Sequence, residues 1–88
     1  MPTPIRQRIV SRLRQLNQTI REDPQLGAGF RVGHSYFCDP PKDIKGGDAW
    51  NAWYENVIRY EIQRLLEEYW FDDAKRAEEA VSQLLASD

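Results

Sequence analysis

Cysteine and histidine each occur once in the 88 residues, as Cys38 and His34. A single cysteine excludes an internal disulfide framework and suits a reducing cytoplasm. Two such ligands fall short of the roughly three or four that a zinc centre takes from protein. No run of about 18 apolar residues occurs, so no transmembrane helix is expected. The opening residues lack the charged-then-apolar pattern of a secretory signal. No phosphate-binding loop ending in Gly-Lys-Ser or Gly-Lys-Thr is present, and no nucleophile elbow. Glycine is scarce outside one place: all five glycines, and three of the five prolines, fall between Asp23 and Gly47.

What remains is a chain with 41% hydrophobic and 30% charged residues and a formal net charge of -2. That balance argues for a folded globular chain rather than disorder. At this length a single domain spanning 1–88 is expected. Three Trp, four Tyr and three Phe supply much of the area a small core needs. Charge is segregated. Residues 1–47 hold eight basic and four acidic side chains, and residues 48–88 hold four basic and ten acidic. Such asymmetry is ordinary solvated surface in one reading and two functionally different faces in another.

Three helices are expected, near 4–22, 48–71 and 73–86. Thr3-Pro4 resembles an N-cap followed by a proline at the first helical position. Ile5, Ile9, Leu13, Leu16 and Ile20 then recur at helical spacing, and Asp23-Pro24 stops the pattern. Asp48 can cap the second helix. Its stripe comprises Trp50, Trp53, Tyr54, Val57, Ile58, Ile62, Leu65, Leu66, Tyr69 and Trp70. Asp72 or Asp73 can cap the third, which turns Ala74, Ala77, Val81, Leu84 and Leu85 inward. Between the first two helices, Arg31–Phe37 reads as a short extended segment or tight turn. Lys45-Gly46-Gly47 reads as a flexible tip. The fold class is therefore all-α, with one irregular connection.

Catalytic chemistry is sparse. His34 and Cys38 lie four apart, so a Cys–His dyad is conceivable, but a small apolar cysteine and a histidine making structural hydrogen bonds explain them better. Glu67-Glu68 and Asp72-Asp73 are sequence neighbours, which point to different helix faces and make no acid/base pair. No catalytic residue and no metal ligand is assigned.

Three pieces carry a resemblance. They are Leu16-Asn17 with Ile20; Phe30-Arg31-Val32-Gly33-His34-Ser35-Tyr36-Phe37; and Leu65-Leu66-Glu67-Glu68-Tyr69-Trp70-Phe71-Asp72-Asp73. In this order they resemble the C-terminal end of the AAA+ subunit of 5-methylcytosine-specific restriction systems, the McrB-type GTPases. The resemblance covers roughly residues 5 to 85. Val32 stands where isoleucine is usual, Arg64 where a proline often precedes the Leu-Leu-Glu-Glu-Tyr string, and residues 39–49 have no counterpart.

The resemblance implies a helical AAA+ lid without the large nucleotide-binding subdomain, and no catalysis by this chain alone. The complete module would use GTP or ATP with magnesium, form a hexameric ring and drive a McrC-like nuclease subunit. The expected partners are the large subdomain, neighbouring subunits and that nuclease, with no membrane and with DNA met only through the full complex. The nucleotide-facing or subunit-interface candidates are Arg31, Gly33, His34, Ser35 and Tyr36. Glycine permits close backbone approach, His34 and Ser35 supply hydrogen-bonding groups, and Arg31 can oppose phosphate charge. Tyr36 and Phe37 are also readable as plain core. A different reading uses the five arginines of residues 6–21 for phosphate contact with nucleic acid, or that helix for protein docking. The net charge and the acidic second half weigh against nucleic acid.

Overall fold

A computed structural model of the chain describes residues 1–86. Among them there are four α-helical segments and no strand. The chain divides into two compact units, Met1–His34 and the part beginning at Ser35.

The first unit is built on α1 (Thr3–Glu22). Ile5, Ile9, Leu13, Leu16 and Ile20 are all buried, as their spacing requires. The start lies one residue earlier than expected: Pro2 is the N-cap and makes no side-chain capping bond, and Thr3 is already helical. The end follows the proline rule. Asp23, before Pro24, is extended at φ -75 and ψ 124. Its carboxylate accepts from the Gln25 N–H at 2.8 Å. The Ile20 carbonyl accepts from the N–H of Asp23 (3.2 Å) and of Gly27 (3.1 Å), so the chain folds back over the helix end. Gly27 sits at φ 79 and ψ -176, a region essentially reserved for glycine. A 3₁₀ turn, Ala28–Phe30, follows.

Arg31–Gly33 is irregular, and His34–Phe37 is a second 3₁₀ turn rather than an extended segment. The three glycines nearby suit turning backbone better than a ladder. Lys45-Gly46-Gly47 is also ordered differently from expectation. Gly46, at φ 86, is the N-cap of α2 (Gly47–Val57), and Asp48 lies inside the first turn instead of capping it. A carboxylate there still favours the positive helix end.

In the second unit α2 runs without a break through a π-helical turn, Ile58–Ile62, into α3 (Gln63–Tyr69). The Gln63 N–H donates to the Ile58 carbonyl, five residues back. The burial pattern explains the turn. Tyr54, Ile58, Ile62, Leu66 and Trp70 are each 2% exposed or less, and each lies four residues beyond the last. In an ordinary helix, steps of four drift by about 40° each, which over this length would carry the stripe to the far side. A π turn absorbs an extra residue and turns the later part back. Leu65 and Tyr69, expected in the stripe, are left half-buried on its flank.

Asp73 caps α4 (Ala74–Leu85), accepting from the Arg76 N–H at 3.2 Å. Ala77, Ala80, Val81 and Leu84 are its buried side. Ala74 is exposed and Leu85 only half-buried, against expectation. The Tyr54 hydroxyl donates to the Leu84 carbonyl at 2.7 Å and ties the far end of α4 to α2. Phe37 stacks on Tyr54 (centroids 5.6 Å apart) and meets Trp53 edge-on at 5.8 Å. Phe37 is thus core, and the aromatic cluster anchors the loop to α2. The Arg76 guanidinium lies 5.5 Å from the centroid of the Trp70 ring. No helix among the described residues is long and apolar enough to cross a membrane.

The phase set by the π turn makes Leu66, not Leu65, the anchor. Leu66→Ala is expected to cost ~2–5 kcal/mol in urea unfolding, and Leu65→Ala distinctly less. Equal losses, or the reverse order, would contradict the phase assignment.

Candidate functional site

Asn17 is the residue that builds the site. It lies on α1 beside the buried stripe and reaches across to Val32. Its side-chain NH₂ donates to the Val32 carbonyl at 2.9 Å. Its side-chain oxygen accepts from the Val32 N–H at 2.6 Å. One amide thus satisfies both backbone groups of a single residue, as a neighbouring strand would, with no sheet present. Val32, 2% exposed, buries its side chain at the same point. The irregular segment from Arg31 is therefore held at a defined place along α1.

This placement forms a cleft of about 460 Å³. α1 contributes Val10, Arg14, Asn17, Gln18 and Arg21, and the returning chain contributes Ala28, Arg31, Val32, Gly33 and His34. Arg14, Arg21, Arg31 and His34 are exposed. Among the described residues none of the three guanidinium groups forms an ion pair. No carboxylate lines the cleft. Glu22, the nearest one on α1, accepts instead from the Gln18 side chain at 2.7 Å. Three exposed guanidinium groups against the single Glu22 carboxylate leave an excess of positive charge that suits an anion, and guanidinium forks match phosphate or carboxylate oxygens in pairs.

Of the five sequence candidates, Arg31, Gly33 and His34 line this cleft; Ser35 and Tyr36 do not. Ser35 is exposed, and its carbonyl accepts from the Cys38 N–H at 3.4 Å. Tyr36 is half-buried and belongs to the surroundings of Tyr69. Burial chiefly, with Tyr36 and Glu68 adding to it, raises the Tyr69 hydroxyl above the ordinary tyrosine value. Gly33 has no positive φ, and a Cβ there would meet nothing within 4 Å. Glycine is therefore not demanded by the protein's own atoms. Arg14, Asn17, Gln18 and Arg21 are not among the nucleotide-facing candidates, although Arg14 and Arg21 belong to the five helix arginines of the alternative, phosphate-contact reading. Their spacing of three, one and three puts them on one face of α1, which was a usable signal.

Elsewhere, a hollow of about 540 Å³ between α3 and α4 has mixed charge, with Arg59, Glu67 and Glu78 in its wall. Phe71 borders it and is 82% exposed. Among the described residues no group of three or more His, Cys, Asp or Glu is placed to hold a metal ion.

The sequence model of the family described as McrB, alpha-helical lid domain, matches residues 8–78. The chain belongs to that family. Over 78 residues it is 38% identical to the Type IV methyl-directed restriction enzyme EcoKMcrB subunit of Escherichia coli. That alignment covers 88% of this chain but 17% of the relative, so the chain spans about a sixth of that protein's length. No solved structure gives a significant match.

If the Asn17 amide holds the return loop, Asn17→Ala leaves the Val32 N–H and carbonyl unpaired. The expected loss is about 1–3 kcal/mol. Amide hydrogen exchange at Val32 should accelerate at least about tenfold. Unchanged exchange at Val32 would show that something else holds the loop.

Proposed function

We propose that this chain serves as the lid and subunit-contact part of a McrB-like AAA+ nucleotide-hydrolysing subunit in a modification-dependent DNA restriction system. In that role it works with a large nucleotide-binding subdomain, neighbouring subunits of a hexameric ring and a McrC-like nuclease subunit. GTP or ATP, with magnesium, belongs to the complete module. Family membership supports the lid role, and the relative's description as a methyl-directed restriction enzyme subunit supports the setting.

The observation that carries the proposal is the Asn17 clip. It fixes Arg31, Gly33 and His34 opposite Arg14 and Arg21 in a cleft without carboxylates. Phosphoryl transfer is catalysed largely by positioning and by cations set against developing charge. A clipped edge of this kind can supply cations and a hydrogen-bonding imidazole from the lid side. The phosphate loop and the metal-holding carboxylates must come from elsewhere.

His34→Ala tests the role in the full-length, ring-forming protein. The lid should fold normally, judged by circular dichroism. Nucleotide affinity, ring assembly or turnover should fall by roughly tenfold or more, about 1.4 kcal/mol. Normal assembly and turnover would remove His34 from the working edge. The 88-residue chain alone should hydrolyse neither GTP nor ATP, and turnover above a buffer blank would overturn the lid assignment.

A further inference from the structure

The cleft does not end at Arg14. It continues along α1 into a second hollow of about 430 Å³, lined by Arg6, Gln7, Val10, Ser11, Arg14 and Gln15. Val10 and Arg14 border both hollows, which makes one groove. At 1.5 Å per residue, α1 rises about 22 Å from Arg6 to Arg21.

Four arginines flank that length: Arg6, Arg14 and Arg21 on the helix, and Arg31 on the clipped loop. Their neighbours are amides and a hydroxyl, which can donate hydrogen bonds, and neither hollow has a carboxylate in its wall. The overall charge of -2 hides this. Of fourteen acidic residues only Glu22 and Asp23 precede Ser35. Asp23 is buried and bonded to the Gln25 N–H, and Glu22 is engaged by Gln18.

A ligand for the groove must be anionic along its whole length. A mononucleotide would reach only one end of it. Single strands are usually held by a series of stacking rings, and neither hollow has a Phe, Tyr or Trp in its wall; the His34 imidazole is a single ring at one end. A duplex backbone offers a phosphate about every 3.4 Å along each strand, so ~22 Å spans six or so base pairs. We infer that the Arg6–Arg14–Arg21 face of α1, with Arg31, is a sequence-independent contact site for the phosphodiester backbone of duplex DNA. This goes beyond the lid role, departs from the expectation that DNA is met only through the assembled complex, and takes up the phosphate-contact alternative that net charge alone weighed against. Such contacts position a protein on DNA without reading its bases.

The test is fluorescence anisotropy of the 88-residue chain with a labelled random-sequence duplex of roughly 20 base pairs, across a salt series. Four phosphate contacts predict a Kd of order 10⁻⁴–10⁻⁶ M and a slope of log K against log salt near -3.6. Arg14→Gln and Arg21→Gln should each weaken binding severalfold and reduce the slope by about one, with unchanged circular dichroism. Arg64→Gln, on α3, should leave binding as it is. No binding at low salt, a flat salt dependence, or variants that bind like the parent would overturn the inference. So would release of the duplex by equimolar GTP or ATP with the same arginine dependence, since the groove would then be a mononucleotide site. The lid reading uses one end of the same groove, but it is tested separately, by ring assembly and turnover of the His34→Ala protein, so failure of duplex binding leaves it standing.

Discussion

The amide of Asn17 is the interaction on which the proposed site depends. Burial of Val32 removes both of its backbone groups from water, and each would cost free energy if left unpaired. A planar side-chain amide is suited to that task, because it offers one donor and one acceptor side by side. Aspartate would present two acceptors to a carbonyl, and leucine of similar size would offer neither group. With Val32 held, the positions of Arg31, Gly33 and His34 follow from chain connectivity. The hydrogen bonds from Gly27 and Asp23 to Ile20 start the same return path one turn further along α1.

The second constraint is the separation of charge. Six arginines and two acidic residues precede Ser35, while twelve of the fourteen carboxylates follow it. Formal net charge averages these away. A module with a groove of exposed arginines is well matched to phosphate chemistry, whether in a nucleotide or in a nucleic acid backbone. The groove's length separates the two.

Much of the fold was legible in the sequence because helical periodicity is a strong local signal. The five aliphatic positions of α1, the arrest at Asp23-Pro24 and the Asp73 cap each follow from a rule acting over a few residues. The phase of the second helix was not legible at Leu65 and Tyr69, since an inserted residue in the winding leaves no mark on apolar spacing. The caps at Pro2 and Gly46 were missed because neither uses a side-chain bond. At the site, Arg31, Gly33 and His34 stood out by breaking periodicity. Arg14 and Arg21 were legible only within a run of five helix arginines, because exposed arginines on a helix resemble ordinary solvated surface until something faces them. Asn17 was visible only as part of a family-like string, and its long-range partner had no local signature.

The π turn has a consequence for comparing this chain with its relatives. It behaves as a one-residue insertion whose excess length is stored as a wider loop of helix instead of being expelled as a bulge. A relative lacking one residue between Val57 and Gln63 could wind the same stretch as an uninterrupted α-helix and present the same aromatic residue at its end. An alignment gap belonging to this helix therefore falls at Ile58–Ile62 on structural grounds. Placing it at Arg64, where the local string departs from the family pattern, would assign equivalent core positions to side chains about 100° apart.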